Sequence, residues 1–462
     1  MNRYKSLAKN TVIFAIGTFG SKILSFIMVF FYSRAMQTAE FGTLDIIINS
    51  GSLMLPICML GIQNSIIRFG LDNDYKKSDV FTSGIISVLL GLLVLVIFSP
   101  AVFQISELKS YIFYLYAYVL MSSLRHICSY FVRALGRSKL YAADGIFSTF
   151  MTCALTIIFL IPLKMGIRGY LLAIILADLS SVIFLSVKAK LLRYVKFRGL
   201  SREITKKMIR FSLPLIPTSL LWWVINVSDR YFVQYMVSAS ANGLYSVAYK
   251  VPTILTLVST IFLDAWQISA VEENSSQTRN RFYSNIFKSF QGAVFVISSF
   301  LILFAKFITY ILLDKSYYSS WQFIPFLMLA TVYSCFVVFL GNIYLAEKRS
   351  VSTLITTLFG AVLNLILNYP LIKLYGPNGA AVATCISYFA VYAVRAIDIK
   401  HRNRDINFVS FKVLINSVIT LAQVILMLLE PPYWIAYQII CLVLLCIINY
   451  KMLLEVIKKL KR

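Results

Sequence analysis

Apolar runs of about 20 residues recur along the whole chain, separated by short polar segments. Each run is long enough to cross a bilayer hydrocarbon core of about 30 Å as an α-helix. The residue-by-residue alternation of a transmembrane β-barrel is absent. The pattern therefore predicts an all-α polytopic membrane protein. Its fourteen predicted spans lie at residues 10–33, 41–68, 80–103, 111–133, 143–162, 168–187, 211–236, 241–268, 286–312, 321–345, 351–374, 379–399, 411–429 and 434–455.

The composition agrees with a membrane protein, because 59% of the 462 residues are hydrophobic and only 14% are charged. The formal net charge of +25 would suggest a nucleic-acid partner in a soluble protein. Here, however, most Lys and Arg lie in loops on one side of the predicted spans. This bias is a topology signal that places both termini in the cytoplasm, and it argues against a nucleic-acid partner. The seven cysteines fall in apolar segments, so no disulfide and no metal site is predicted.

The two halves of the chain resemble each other, which predicts two pseudo-symmetric six-helix lobes. Gly166 and Gly169 precede the sixth span with the same spacing as Gly376 and Gly379 before the twelfth. An even number of spans in each half makes the repeat parallel, as in two-lobed transporters. The predicted parts are a first lobe at 1–187, a basic cytoplasmic linker at 188–210, a second lobe at 211–400, and an additional two-helix hairpin with a basic tail at 401–462.

Charged side chains inside membrane spans are costly and are therefore candidates for function. The cations are Lys22, Arg125, Arg230, Lys250 and Lys306, with Arg34 at the outer end of the first span. The carboxylates are Asp45, Asp178, Asp229 and Asp264. Asn364 and Asn368, four residues apart, share one face of the eleventh span. Hydrogen bonding between helices, and snorkelling to the interface in the case of Lys306, are the structural alternatives.

The balance of these charges indicates which kind of substrate could be transported. Cations come from several spans of both halves, and an interior rich in cations suits an anionic substrate such as a phosphate. An exporter of cationic drugs would need an interior dominated by carboxylates. No Walker A, HExxH or GxSxG motif occurs, and the loops opposite the basic ones are short. The chain is therefore not expected to be an enzyme.

Three segments carry a resemblance that covers essentially the whole chain. They are TFGSKILSFIMVFFYSRAMQTAEFGTLDI near the start, FSLPLIPTSLLWWVINVSDRYFVQYMVSASANGLYSVAYKVP in the middle and LYGPNGAAVAT late in the sequence. Together they resemble the Wzx-type polysaccharide flippases of the multidrug/oligosaccharidyl-lipid/polysaccharide exporter (MOP) superfamily. The resemblance implies a protein of the bacterial inner membrane. It would carry undecaprenyl-pyrophosphate-linked repeat units of O-antigen or capsule from the cytoplasmic to the outer leaflet.

The related lipid II flippases provide a comparison for individual residues. The stretch SKILSF is similar to their first-span motif, which has Arg where Lys22 stands, and AYKVP is similar to a stretch that places a cation at Lys250. Their second first-span Arg is replaced here by Met28, which favours a repeat-unit carrier over a lipid II carrier. The alternatives are a lipid II flippase and a cation-coupled drug or metabolite antiporter of the same superfamily.

The resemblance also implies roles for the charged residues. Lys22, Arg34, Arg125, Arg230 and Lys250 would hold the pyrophosphate and acidic sugars in a cavity between the lobes, while the prenyl tail stays in membrane lipid. Coupling or cavity-lining candidates are Asp45, Asp178, Asp229, Asp264, Asn364 and Asn368. No cofactor is expected, and the choice between a proton and a sodium gradient is open. A polysaccharide polymerase and a chain-length regulator are candidate partners.

Overall fold

The computed structural model describes residues 20, 24, 26–72, 74–196, 201–272, 279–403, 406, 408 and 410–460. Lys22 and most of the first predicted span lie outside these residues. Within them all regular structure is helical, which confirms the predicted all-α class. The chain divides into two compact units whose boundary falls between Trp223 and Val224.

The first unit contains eight helices among its described residues, and a ninth helix crosses the boundary. They are α1 (Phe26–Ala35), α2 (Thr38–Cys58), α3 (Gln63–Leu71), α4 (Lys77–Ile97), α5 (Ile112–Ala134), α6 (Ser138–Leu160), α7 (Gly166–Ala189), α8 (Arg202–Ser212) and α9 (Ile216–Met236). Short helical turns at Ser99–Val102, Ser106–Lys109, Leu191–Tyr194 and Leu213–Leu215 connect them.

The second unit contains the rest of α9 and nine further helices. They are α10 (Ala239–Ala248), α11 (Lys250–Glu272), α12 (Arg279–Leu303), α13 (Ala305–Leu312), α14 (Ile324–Ala346), α15 (Ser350–Tyr375), α16 (Pro377–Arg402), α17 (Phe411–Leu429) and α18 (Trp434–Leu460). A 3-10 helix at Lys315–Phe323 precedes α14.

Eleven helical segments of the described chain are long and apolar enough to cross a membrane. Two shorter apolar segments, Phe26–Ala35 and Trp434–Tyr450, accompany them. The 23-residue α5 is not one of these eleven segments, because Arg125 and other polar residues lower its mean hydropathy. The protein is therefore a multi-pass membrane protein, while the number of fourteen spans stays a prediction.

Three predicted single spans are each broken into two helices. The predicted span at 41–68 breaks where Leu60 and Gly61 adopt positive φ angles of 48° and 65°. The span at 241–268 breaks at Tyr249, because Pro252 has no N–H to donate to the carbonyl one turn before it. The span at 286–312 breaks at Phe304. Hydropathy remains high across all three breaks, so the pattern of apolar residues does not reveal them.

The two glycine pairs of the sequence repeat do the same structural work in the two units. Gly166 and Gly376 begin α7 and α16 with positive φ angles of 54° and 59°. A Cβ on Gly169 would lie 3.0 Å from the Phe159 Cβ of α6, and one on Gly379 would lie 2.0 Å from the Leu371 carbonyl oxygen of α15. Each pair therefore makes a tight turn and then a close approach between two packed helices. This equivalence supports the predicted repeat.

The described residues of the basic linker include the end of α7, the 3-10 helix at Leu191–Tyr194 and most of α8, which packs on α3 and α4. The Ser65 and Ser212 hydroxyl oxygens lie 2.6 Å apart, and those of Ser83 and Thr205 lie 2.8 Å apart. Ser65 also donates to the Met208 carbonyl at 2.8 Å. These hydroxyls tie the polar helix to the membrane helices of the first unit.

The last two helices, α17 and α18, are joined to α12 by buried amides. Asn416 of α17 donates to Gln291 of α12 at 3.0 Å and exchanges hydrogen bonds with Asn449 of α18 at 3.3 and 3.2 Å. Further along, Gln423 of α17 donates to the Ser299 carbonyl at 3.1 Å, and Gln438 donates to the Gln423 carbonyl at 2.9 Å. The hairpin is therefore an integral part of the second unit.

Candidate functional site

A buried carboxylate organises the second unit. Asp229 of α9 is 0% exposed. Its Oδ2 accepts hydrogen bonds from the Tyr245 hydroxyl at 2.8 Å, the Tyr249 hydroxyl at 2.5 Å and the Thr384 hydroxyl at 3.3 Å. Its Oδ1 accepts from the backbone N–H of Arg230 at 2.9 Å. An ionised carboxylate in a membrane interior needs such partners, because each unsatisfied polar group there costs several kcal/mol.

An amide network extends from this carboxylate to α15. Asn364 Oδ1 accepts from the Ser228 hydroxyl and from the Asn368 amide, both at 2.9 Å. Asn364 Nδ2 donates to the Thr384 hydroxyl at 3.2 Å, and Thr384 in turn donates to Asp229. The network thus joins α9, α15 and α16 around one charge. It brings together three residues that the sequence nominated, Asp229, Asn364 and Asn368.

Two tyrosines in this site are absent from the sequence-based candidates. Tyr245 and Tyr249 lie four residues apart at the end of α10, so both rings face Asp229. Ser238 caps α10, because its hydroxyl accepts from the Ala241 N–H at 3.1 Å. The guanidinium of Arg230 lies 4.5 Å from the centre of the Tyr249 ring. Tyr249 therefore contacts both charges of the Asp229–Arg230 pair. Two tyrosines four residues apart, on the helix that follows a span with a buried Asp, are the sequence pattern that could have predicted this site.

The first unit has its own charged cluster, built around Arg125 of α5. Its Nη1 lies 3.2 Å from Asp178 Oδ1 of α7, and its Nε lies 3.8 Å from Asp144 Oδ2 of α6. The hydroxyls of Ser122 and Ser181 donate to Asp178 and Asp144, respectively. Two carboxylates therefore surround one guanidinium, and both carboxylates are buried while Arg125 stays partly exposed. The sequence nominated Arg125 and Asp178 but not Asp144, which lies at the edge of its predicted span.

The remaining nominated residues lie at more open positions. Arg34 is exposed on α1, where its guanidinium lies 3.4 Å from the centre of the Phe30 ring. Asp45 is half-buried on α2. Arg230 and Lys250 are half-buried, and Lys250 is the first residue of α11. Asp264 is exposed further along α11.

The most deeply buried arginine, Arg395 of α16, was not nominated. It is 1% exposed and donates to the Val337 carbonyl of α14 at 2.8 Å. It also donates to the Thr356 and Thr357 hydroxyls of α15 at 3.0 and 3.1 Å. All these acceptors are neutral. Arg395 was overlooked because it lies close to the charged end of its span, where a cation is expected to be interfacial.

Lys306 belongs to a structural cage rather than to a substrate site. Its Nζ lies 4.3 Å from the ring centres of both Trp321 and Trp434 and 2.5 Å from Glu430 Oε1. The lysine thus links α13 to the 3-10 helix before α14 and to the hairpin of α17 and α18.

Replacing Lys306 with methionine is expected to lower the free energy of unfolding by about 1–2 kcal/mol, because a cation–π contact and a partly exposed ion pair are lost. Thermal unfolding in detergent, followed by tryptophan fluorescence, measures the change. Lys315→Met is the matched control, since Lys315 is an exposed lysine nearby. Equal melting temperatures for the two variants would contradict the cage.

The chain shares its fold with solved transporters of the MOP superfamily. It is similar to the lipid II flippase MurJ in an inward closed conformation, with a TM-score of 0.73 and 16% identity over 98% of this chain and 100% of that chain. It is similar to an inward-facing multidrug resistance MATE family transporter, with a TM-score of 0.70 and 16% identity over 82% of this chain and 94% of that chain. A MOP superfamily transporter from Pyrococcus furiosus matches with a TM-score of 0.60 and 16% identity, over 86% and 95% of the two chains.

The chain belongs to the family described as polysaccharide biosynthesis protein, whose sequence profile matches residues 7–266. No curated protein sequence matches the chain. The fold expected from the resemblance to the MOP superfamily is confirmed.

Proposed function

We propose that this protein is a repeat-unit flippase of the bacterial cytoplasmic membrane. It would move undecaprenyl-pyrophosphate-linked oligosaccharides to the outer leaflet for O-antigen or capsule synthesis, with both of its termini in the cytoplasm. One observation carries the proposal: a chain of the polysaccharide biosynthesis family has, over 98% of its length, the fold of a flippase for a lipid-linked saccharide. A polymerase and a chain-length regulator, which act on the product of such a step, are its proposed partners.

The headgroup of such a carrier has a pyrophosphate, and the cations of the spans are proposed to bind it. Lys22, Arg34, Arg230 and Lys250 are the main candidates. Arg230 and Lys250 support this role because both are half-buried and can still reach a ligand. Binding by cations offsets the large cost of taking a doubly charged group out of water. Arg125 would contribute less, because Asp144 and Asp178 already neutralise it.

The Asp229 network is proposed to couple transport to an ion gradient. The side-chain groups that could act as ligands to an ion are the Asp229 carboxylate, the hydroxyls of Tyr245, Tyr249 and Thr384, and the amide of Asn364. Hard monovalent cations prefer oxygen ligands, and a buried carboxylate can carry a proton instead. Binding of either would rearrange contacts among α9, α10, α15 and α16. Such a local change can bias alternating access.

Deletion of the gene, followed by complementation, tests the proposal. Deletion is expected to remove one surface polymer and to strand its lipid-linked repeat unit in the cytoplasmic leaflet. Arg230→Ala and Lys250→Ala are expected to restore about tenfold less polymer than the wild-type gene at equal protein level, because each removes a charge-assisted contact to phosphate. Lys207→Ala, an exposed cation of α8, is the control and should restore the polymer fully. A normal polymer in the deletion strain would overturn the proposal.

Two alternative functions, a cation-coupled exporter and a lipid II flippase, are each favoured by one observation. The similarity to MATE transporters favours a cation-coupled exporter of drugs or metabolites, and gradient-driven efflux of ethidium from vesicles would identify it. The similarity to MurJ favours a lipid II flippase, and loss of viability on deletion would identify that. Met28, which occupies the position of a lipid II flippase cation, is 1% exposed and packs in the interior of the first unit.

A further inference from the structure

Helix α11 presents a line of polar side chains along most of its length. Thr253, Thr256, Thr260, Asp264 and Gln267 are all exposed. At 3.6 residues per turn they fall within an arc of about 80° of the helix surface. We call these five residues the polar stripe. The stripe begins one turn after Lys250, the proposed phosphate ligand.

Hydrocarbon is a poor environment for the polar face of α11. The flank beside the polar stripe is apolar, since Val258 and Ile261 are 43% and 50% exposed. Exposed carboxylate, amide and hydroxyl groups in a membrane span normally line a water-filled path, because hydrocarbon offers them no hydrogen bonds. The same helix therefore has one face suited to lipid and an adjacent face suited to water.

A cavity of about 140 Å³ lies against the polar stripe. Its walls include Ser334 and Asn342 of α14 and the buried Ser259 of α11, together with four members of the stripe. This volume holds roughly four water molecules at about 30 Å³ each, which is more room than a single ion needs. Polar groups converge on the cavity from two helices, as they do in binding sites for small polar ligands.

Apart from the side-chain amide of Gln267, which can donate as well as accept, the polar stripe offers hydrogen-bond acceptors. The hydroxyls of Thr253, Thr256 and Thr260 donate to backbone carbonyls of their own helix, at 2.5, 3.3 and 2.8 Å. Their oxygen lone pairs are left to face outward. The amide nitrogen of Asn342 donates to the Leu263 carbonyl at 3.3 Å, which leaves its oxygen as an acceptor. An ionised Asp264 only accepts. A ligand of this surface must therefore supply many O–H or N–H donors.

We propose that the polar stripe and its cavity bind the neutral sugar rings of the lipid-linked oligosaccharide, next to a phosphate held at Lys250. This inference rests on the proposed function. Sugar hydroxyls can donate and match the acceptors of the stripe, whereas phosphate groups and the carboxylates of uronic acids only accept and are repelled by an ionised Asp264. From Lys250 to Gln267 the helix rises by about 26 Å, enough for several rings in a row. The repeat unit carried by this protein would thus have uncharged or amino sugars next to its pyrophosphate.

Binding to the full chain in nanodiscs tests the proposal with two probes. One is undecaprenyl pyrophosphate without sugar, and the other is the oligosaccharide-bearing undecaprenyl pyrophosphate fraction extracted from the host membrane. The wild type is expected to bind the sugar-bearing probe about tenfold more tightly. In Thr256→Val/Thr260→Val, and separately in Asp264→Asn, this ratio is expected to fall to about one. Binding of the sugar-free probe reports that each variant is folded. Ile261→Val, on the apolar flank, is the control and should keep the ratio.

Each outcome is informative about a different claim. If both probes bind and the variants keep the wild-type ratio, the polar stripe does not contact sugar, while the flippase proposal stands. If neither probe binds to the wild type, the flippase proposal fails and the stripe proposal fails with it. A third probe, ethidium, is a cation that also carries N–H donors. If ethidium binding depends on Asp264 and the sugar-bearing probe gains nothing over the sugar-free one, the stripe serves an organic cation instead of a sugar.

Discussion

Replacing Asp229 with alanine is expected to abolish transport and to destabilise the second unit by about 3–5 kcal/mol. The change removes the acceptor of the Tyr245, Tyr249 and Thr384 hydroxyls and leaves the positive charge of Arg230 beside an empty position. The three hydroxyls left without this acceptor add to the destabilisation, because an unpaired polar group is costly in an interior of low dielectric constant. Thermal unfolding in detergent measures the destabilisation, and accumulation of lipid-linked repeat units in cells measures the loss of transport.

Asp229→Asn separates the two effects. The amide keeps the size of the side chain and an oxygen that accepts hydrogen bonds, so a smaller loss of stability is expected. The charge is lost, and transport is therefore expected to fall as far as in Asp229→Ala. Tyr388→Phe is the matched control, because the Tyr388 hydroxyl donates at 2.7 Å to Asn226 and not to the carboxylate. If Asp229→Asn transports like the wild type, the coupling role of Asp229 is wrong and only its structural role remains.

The second large effect is expected at Arg395. Arg395→Ala should lower the free energy of unfolding by about 3 kcal/mol, because it leaves the Val337 carbonyl and two threonine hydroxyls without their donor and opens a cavity. Arg395→Lys keeps the positive charge but lacks the planar set of N–H donors of the guanidinium. This variant is therefore expected to lose about half as much free energy of unfolding as Arg395→Ala. Denaturant unfolding of the purified protein measures both values.

A glycine provides an independent test of the same packing. A Cβ on Gly341 would lie 2.8 Å from Arg395 Nη1, so Gly341→Ala is expected to destabilise the protein by about 1–3 kcal/mol through overpacking. Gly145→Ala is the matched control, since no atom lies within 4 Å of its added Cβ. In a helix that control should be neutral or stabilising by up to about 1 kcal/mol. Equal stabilities for the two glycine variants would show that Arg395 is not tightly confined.

Much of the fold could be predicted from the sequence because the membrane restricts the choice to helices. The periodicity of apolar runs predicts α14, α15 and α17 to within three residues at each end. It could not locate the breaks at Leu60, Tyr249 and Phe304, since a break changes the backbone conformation without changing hydropathy. The Gly166 and Gly376 turns were predictable as a repeat, because only glycine adopts their backbone conformation without strain.

The candidate site was predictable only in part. A charge within a span is visible in sequence, so Asp229 and Asn364 were nominated and lie in one network. The partners of a charge depend on which helices pack together, and this explains why Tyr245 and Asp144 were missed. It also explains why the sequence, which predicts that Arg125 binds the pyrophosphate, does not show that two carboxylates surround this residue. The cavity role predicted for Lys22 stays a prediction, since that residue lies outside the described part of the chain.

The amides that join the last two helices to α12 have a consequence for how the protein is made. Gln291 enters the membrane early, but Asn416 and Asn449 are synthesised only near the end of the chain. During translation the Gln291 side chain of α12 therefore lies in the membrane without its Asn416 partner until α17 and α18 insert. A chain without that hairpin would leave the Gln291 side-chain oxygen in lipid without its Asn416 donor. Insertion of α17 and α18 is thus expected to complete the hydrogen bonding of a helix that was inserted before them.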